Sequence, residues 1–316
     1  MKAITTFFRQ PWLFAFAAAI AVWIATAAFT QGQGAGEVLS VAFTFATFFV
    51  IVAIGQMFVV TLGPGNVDLS IPATMTLAGT VSMKIMDGLN WMILPGYLIA
   101  VAVGVVVGVL NVGLIRVLRI PPIIATLSSS FIIQSAAIWY NRGLRVKPPT
   151  MLADFTTAKI AGMPILALLV ILIAAVMHVV LNRTIYGRTV IAIGQNARAA
   201  RLAGLEVNRV RFLTYVMCAV FAASCGYVLA GFSGGAALNM GQEYLLASVA
   251  VVVIGGTSVA GGFSNIPGLW GAALFLFLLV TMLNTFGLGA GVRLLLTGLI
   301  IIAVITLAGG SRSSER

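Results

Sequence analysis

Residues 40–86 read SVAFTFATFFVIVAIGQMFVVTLGPGNVDLSIPATMTLAGTVSMKIM, two apolar runs joined by a short glycine- and proline-rich break. The first run, 40–62, carries no charge and is long enough to cross a bilayer as a helix. The break at 63–68 must end that helix, because Pro64 has no N–H to donate and the glycines loosen the backbone. Backbone groups freed at membrane depth are tolerated only against protein or a water-filled cavity. The stretch therefore predicts a membrane protein with interrupted helices.

The rest of the chain repeats this pattern. It has 316 residues, of which 61% are hydrophobic and 8% are charged, and its mean hydropathy is +1.12. We therefore expect one domain over residues 1–316, an all-α polytopic membrane bundle of about ten spans. The apolar run at 12–30 is too long for a signal-peptide core, so we count it as a span. The predicted spans are 12–30, 40–62, 69–86, 91–115, 120–139, 163–182, 212–232, 243–261, 267–286 and 292–309.

Lysine and arginine predict the orientation, because loops on the cytoplasmic side carry an excess of both. One side of the predicted bundle holds Lys2, Arg9, Arg116, Arg119, Arg183, Arg188, Arg198, Arg201, Arg209, Arg211, Arg312 and Arg316. The other side holds Lys84, Arg142, Arg145, Lys147, Lys159 and Arg293. We therefore expect both termini and the 183–211 loop to face the cytoplasm, and we interpret the net charge of +11 as topology rather than nucleic-acid binding.

Several classes of function are disfavoured by what the sequence lacks. No lysine follows a glycine, so there is no phosphate-binding loop for ATP. His178 is the only histidine, and no cluster of cysteine and histidine could hold a metal. All seven carboxylates fall at breaks or ends, whereas proton-driven transporters use buried acids within spans. We expect a chain that is not an enzyme and binds no cofactor of its own.

Neutral polar residues inside the apolar spans suit the passage of a neutral, hydroxylated solute. The same groups could instead form hydrogen bonds between helices, and a carboxylate before Pro72 could simply stabilise a helix start. The candidate pathway residues are Asn66, Asp68, Asn111, Thr126, Gln134 and Asn284.

The loop at 183–211 is the longest polar, arginine-rich stretch of the chain. Within it, Asn196 can cap a short helix and Gly204 can end that helix in a left-handed turn. Arg198 and Arg201 lie three residues apart and share a face, while Leu202 and the alanines offer a small apolar surface. A membrane protein with such a capped helix on a basic loop is expected to present it to a soluble partner.

Four groups of motifs, in order along residues 40–308, resemble the permease subunits of ribose-type monosaccharide ABC importers. They are DLS at 68–70 with LAG at 77–79, PIIATL at 122–127, YGR through AARLAG at 186–204, and ASV through AGG at 247–262. The resemblance implies a permease in a bacterial inner membrane. Its implied partners are a second permease copy or paralogue, cytoplasmic ATPases that hold ATP and Mg²⁺, and an extracytoplasmic solute-binding protein.

The resemblance also assigns a role to the helix at 196–204, that of the coupling helix that docks on the ATPase. The residues implied in this coupling are Asn196, Arg198, Ala199, Ala200, Arg201, Gly204 and Glu206. Two alternatives remain open. A branched-chain amino-acid ABC permease shares the architecture, and an ion-coupled secondary transporter would use the breaks at Pro64 and Pro267. A secondary transporter would leave the 183–211 loop without a role.

Overall fold

The computed structural model describes residues 11–141, 147–287 and 289–310. These residues form an α-helical bundle, with one short hairpin of β1 (Lys159–Ile160) and β2 (Met163–Pro164). The helices are α1 Pro11–Phe29, α2 Ala35–Thr61, α3 Ile71–Met86, α4 Ile93–Arg116, α5 Pro122–Tyr140, α6 Thr150–Thr157, α7 Ile165–Arg183, α8 Ile185–Leu202, α9 Val207–Phe232, α10 Tyr244–Ile254, α11 Pro267–Thr285 and α12 Ala290–Gly310. The cations of the orientation prediction that lie outside the described residues are Lys2, Arg9, Arg142, Arg145, Arg312 and Arg316.

Seven helical segments of the described chain are long and apolar enough to cross a membrane, which confirms an all-α membrane bundle. They comprise α1, α2, α4 with its preceding turn, α5, α7, α9 and α11. The predicted number of ten spans is not confirmed. α3 has 16 residues and α10 has 11, so by length alone α10 covers only about half of a ~30 Å hydrocarbon core.

The predicted breaks are present in the structure. α2 ends at Thr61, and Gly63 and Gly65 have φ of 116° and 77°, values that favour glycine. Pro122 and Pro267 are the first residues of α5 and α11, where a missing N–H costs no helical hydrogen bond. Proline and glycine therefore fix where these helices begin and end.

The core is built around α2 and α9, each more than half buried in its apolar window. α4 lies directly against α9: a Cβ on Gly104 would come 2.8 Å from the α9 backbone, and one on Gly108 would come 2.5 Å from it. These small residues therefore allow the two helices to approach each other closely.

Candidate functional site

A kink at Asn196 divides α8 into an arm, residues 185–195, and a short helix that ends at Leu202. We call this short helix, together with its closing turn, the capped helix (residues 196–204). Asn196 adopts an extended φ of −161°, and its Oδ1 accepts the N–H groups of Arg198 at 3.0 Å and Ala199 at 2.9 Å. Gly204 closes the other end with φ of 82°, donating its N–H to Arg201 at 3.1 Å. The N-terminal cap and the left-handed end predicted from the sequence are both confirmed.

The capped helix has an outward and an inward face. Arg198, Ala199 and Arg201 are exposed, and Leu202 is 85% exposed although it is apolar. Ala200 is only 5% exposed and belongs to the core. The expectation that Ala200 lies on the presented surface is wrong, because this side of the helix packs on the bundle. Ala200 therefore anchors the helix, and the arginines and Leu202 form its free surface.

Glu206 lies just beyond the capped helix, at the start of α9. Its carboxylate forms an exposed ion pair with Arg209 at 3.6 Å. Such an exposed pair contributes little to stability, so Glu206 and Arg209 can exchange this contact for another.

The arm of α8 packs backbone to backbone against two of the breaks, at a contact we call the glycine junction: Gly63, Gly194, Gly261 and Gly262. A Cβ on Gly194 would lie 1.9 Å from the carbonyl oxygen of Thr61 and 2.3 Å from the nitrogen of Gly262. Gly262 also donates its N–H to that carbonyl oxygen at 3.0 Å. The arm is therefore in direct backbone contact with the segments that precede α3 and α11.

Tyr186 fixes the beginning of the arm. Its hydroxyl lies 2.8 Å from the hydroxyl of Thr214 in α9, and its ring stacks on Phe58 in α2 with centroids 6.0 Å apart. Burial raises the pKa of Tyr186 to about 12, so the phenol stays neutral at physiological pH. The arm is therefore held at its start by Tyr186 and at its end by the glycine junction.

Four candidate pathway residues gather around the break between α2 and α3. Asp68 accepts the N–H of Ser70 at 2.9 Å and its hydroxyl at 2.6 Å, as expected for a carboxylate at a helix start. Asn111 donates to the Ser70 hydroxyl at 2.8 Å and accepts a hydrogen bond from Ser129. A buried chain of hydrogen bonds therefore links the break to α4 and α5.

The break is held at two further points. The hydroxyl of Thr126 accepts the N–H of Leu69 at 3.1 Å. Asn66 donates to the carbonyl of Gly63 at 3.1 Å and accepts from the hydroxyl of Tyr215 at 3.2 Å. Asp68, Asn111 and Thr126 are at most 1% exposed, so in this conformation they hold the interrupted segment in place. Their role in the pathway stays a prediction.

Gln134 and Asn284 lie apart from this cluster. Gln134 donates to the carbonyl of Leu238 at 2.7 Å, tying α5 to the segment before α10. Asn284 is exposed and accepts a hydrogen bond from Arg293. The structure therefore brings together four of the six candidate pathway residues.

Sequence reasoning missed Tyr215 and the partners of Gly194. Tyr215 is an aromatic residue in an apolar run, where nothing marks it as a partner of Asn66. One signal for the network was available, because Gln56 and Ser129 are polar residues inside spans. Gln56 is fully buried and accepts the N–H of Asp68 at 3.2 Å.

Comparison with known proteins gives a family match over most of the chain. The model of the family described as "Branched-chain amino acid transport system / permease component" matches residues 38–305. The chain is 28% identical over 312 residues to the autoinducer 2 import system permease protein LsrC of Enterobacter sp. (strain 638), covering 98% of this chain and 90% of that one.

Two further relatives have similar descriptions. The probable ABC transporter permease protein y4mJ of Sinorhizobium fredii is 29% identical over 84% of this chain and 79% of its own. The autoinducer 2 import system permease protein LsrD of Photorhabdus laumondii is 28% identical over 76% of this chain and 74% of its own. No solved structure matches the chain.

Proposed function

Because the chain belongs to the family of branched-chain amino acid transport system permease components, we propose that it is the membrane-spanning subunit of an ATP-driven importer. The observation that carries this proposal is the capped helix, which exposes Arg198, Arg201 and Leu202 beyond the bundle. Two cations and one apolar side chain on a rigid helix suit a groove on a soluble, acidic partner. That partner is the ABC ATPase.

The glycine junction supports a route from the ATPase to the interrupted helices. Closure of two ATPases on ATP would push the capped helix, and the arm would move Gly63 and Gly262 with it. The breaks before α3 and α11 would then change position, which biases the side on which the bundle opens. In this proposal the chain binds no cofactor, and ATP and Mg²⁺ are held by the ATPase.

The proposed cargo is a neutral, hydroxylated solute, a monosaccharide or related sugar, moved into the cytoplasm. Uncharged amides and hydroxyls can replace the water around such a solute without holding it tightly. The autoinducer 2 named for the relatives is a further candidate. The proposed pathway residues are Asn66, Asp68, Asn111, Thr126, Gln134 and Asn284.

The remaining parts of the proposal concern assembly. We propose that residues 1–316 act as one permease domain in a bacterial inner membrane, with both termini and the 183–211 loop in the cytoplasm. It would pair with a second permease and receive its cargo from an extracytoplasmic solute-binding protein. The positive-inside distribution of arginine and lysine supports this orientation.

The description of the matched family favours one alternative, the import of branched-chain amino acids. An amino acid carries an ammonium and a carboxylate, which would require charged partners or helix ends along its route. Among the described residues the cluster around Asp68 has one carboxylate, whose Oδ1 accepts both hydrogen bonds from Ser70, and no cation pairs with it. We therefore favour the neutral solute.

Uptake by cells that express the importer tests the proposal. Labelled ribose, leucine and autoinducer 2 are offered in parallel, with and without an ionophore and with and without ATP depletion. We expect uptake of the neutral solutes to survive loss of the ion gradient and to stop when ATP is depleted. Uptake that follows the ion gradient would indicate a secondary transporter, and uptake of leucine alone would indicate the amino-acid permease.

A further inference from the structure

A cationic cleft of about 560 Å³ opens beside the capped helix. Its lining includes three arginines, Arg116, Arg201 and Arg209, and one acidic residue, Glu206. Leu205 and Phe212 add an apolar part to the lining. Three positive groups against one negative group give the cleft a net positive charge. Arg201 and Glu206 were implied in ATPase docking, whereas Arg116 and Arg209 have no role assigned so far.

The lengths of α4 and α9, which border the cleft, indicate that it lies at the depth of the lipid headgroups. α4 has 24 residues and ends at Arg116, and α9 has 26 residues and begins at Val207. They are roughly 36 and 39 Å long, whereas the hydrocarbon core is about 30 Å thick. Both helices are longer than the core is thick, so the ends that carry Arg116 and Arg209 can extend into the headgroup layer, where arginine at a span end is favoured.

The residues that follow Arg116 support contact with lipid. Val117 is 77% exposed and Leu118 is 61% exposed, and arginines flank them on both sides in the sequence RVLR at 116–119. Two exposed apolar side chains between two cations match the boundary between acyl chains and headgroups. An acidic protein partner would leave these side chains in water.

We propose that the cleft binds the phosphate headgroup of an anionic phospholipid. Arg116 and Arg209 bind the phosphate oxygens, for which a planar guanidinium has matching geometry. In the first turn of α9 the N–H of Val207 donates to the carbonyl of Leu205 at 2.8 Å, while the N–H groups of Asn208 and Arg209 have no carbonyl four residues back within the helix and favour an anion at the same end. Arg209 leaves its exposed 3.6 Å pair with Glu206 to do so, which costs little.

The occupied cleft ties the lipid to the base of the capped helix, since Arg201 lines the cleft and Leu205 donates its N–H to Ala200 at 3.1 Å. Anionic lipid would therefore stabilise the turn between the capped helix and α9. This site does not depend on what the chain transports, and it would exist in a permease of either substrate class.

The full chain in nanodiscs of phosphatidylcholine and phosphatidylglycerol provides the test. Native mass spectrometry of the released protein counts the phosphatidylglycerol molecules that each chain retains. The cleft variant is R116Q/R209Q, and the matched control is R183Q/R188Q, which removes two exposed cytoplasmic-side arginines outside the cleft lining. We expect about a fivefold loss of retention for each cleft arginine, or about 25-fold together, and less than a twofold loss in the control.

The following outcomes would overturn the proposal. Equal losses in both variants would mean that lipid responds only to general positive charge, and unchanged retention in R116Q/R209Q would place the lipid elsewhere. Displacement of the lipid by millimolar inorganic phosphate would make the cleft a site for a soluble anion. Loss of ATPase co-purification with lipid retention intact would make it part of the protein interface.

A second variant distinguishes a loss of lipid binding from a folding defect. R116K/R209K keeps both charges but loses the bidentate fork, so it should retain lipid at a level between the wild type and R116Q/R209Q. Retention equal to that of the wild type would show that charge alone holds the lipid, and the assignment of Arg116 and Arg209 as guanidinium ligands of the phosphate would fail. Retention no higher than in R116Q/R209Q, by a monodisperse species, would mean that the guanidinium fork is essential. Solute uptake, measured in parallel, reports separately on the proposed function.

Discussion

Replacing Gly194 by alanine tests whether the glycine junction transmits movement. The new Cβ would lie 1.9 Å from the carbonyl oxygen of Thr61 and 2.3 Å from the nitrogen of Gly262. Both are backbone atoms, so no side-chain rotation relieves the overlap and the arm must move away by more than an ångström. Overpacking of this kind costs about 1–3 kcal/mol, and losing the 3.0 Å hydrogen bond between Gly262 and Thr61 adds roughly 1 kcal/mol.

The cost falls on the contact of the arm with the end of α2 at Thr61 and with the break before α11. We therefore expect Gly194→Ala to assemble with the ATPase but to lose uptake by about 5- to 150-fold, the range that a coupling energy of 1–3 kcal/mol spans. ATP hydrolysis by the complex should continue without transport. The assay compares uptake with ATP hydrolysis, each per assembled complex, in the same membranes.

Gly113→Ala is the matched control. Gly113 is a helical glycine of α4, and a Cβ added there would meet no packing neighbour within 4 Å among the described residues, so alanine should be neutral or slightly stabilising. The reasoning is refuted if Gly194→Ala transports as well per complex as Gly113→Ala does. It is also refuted if hydrolysis and uptake fall together, since the junction would then act on the ATPase rather than on coupling.

Further predictions concern the capped helix and the polar network. Arg198→Glu with Arg201→Glu should leave the chain inserted but reduce ATPase co-purification, because reversed charges repel the partner; an unchanged yield would contradict this. Asn196→Ala removes a cap that contributes about 1 kcal/mol, so uptake should fall while Asn196→Asp, which can still accept the N–H groups, preserves it. Asn111→Leu removes the donor to the Ser70 hydroxyl and one acceptor of the Ser129 hydroxyl from a buried site, so the amount of assembled complex should fall before uptake per complex does. Gln134→Leu should lower uptake per complex at constant assembly if Gln134 lines the pathway, and an immunoblot of the same membranes separates the two effects.

The parts of the fold that were predictable are those decided by local chemistry. Pro64, Pro122 and Pro267 remove helical donors wherever they stand, so the breaks could be placed without knowing the tertiary structure. The number of spans could not be predicted in this way. α10 has only 11 residues and is followed by non-helical chain, and an apolar run has the same composition whether it is helical or extended.

In the candidate site, too, the features decided by local chemistry were predictable and those decided by tertiary packing were not. The Asn196 cap and the Gly204 turn involve contacts within three residues, and both were predicted. The inward face of Ala200 and the contact of Gly194 with Gly262 depend on how α8 lies on the bundle, which helix propensity does not specify. The sequence showed that the 183–211 loop holds a capped helix, but not what the helix rests on.

Photocrosslinking from two positions of the capped helix tests the central claim most directly. A photoreactive amino acid replaces either Leu202, which is 85% exposed, or Ala200, which is 5% exposed, in the assembled importer. If the capped helix docks on the ATPase, Leu202 should give a crosslink to the ATPase, and Ala200 should give crosslinks only within the permease. A crosslink to the ATPase from Ala200 and none from Leu202 would contradict the account.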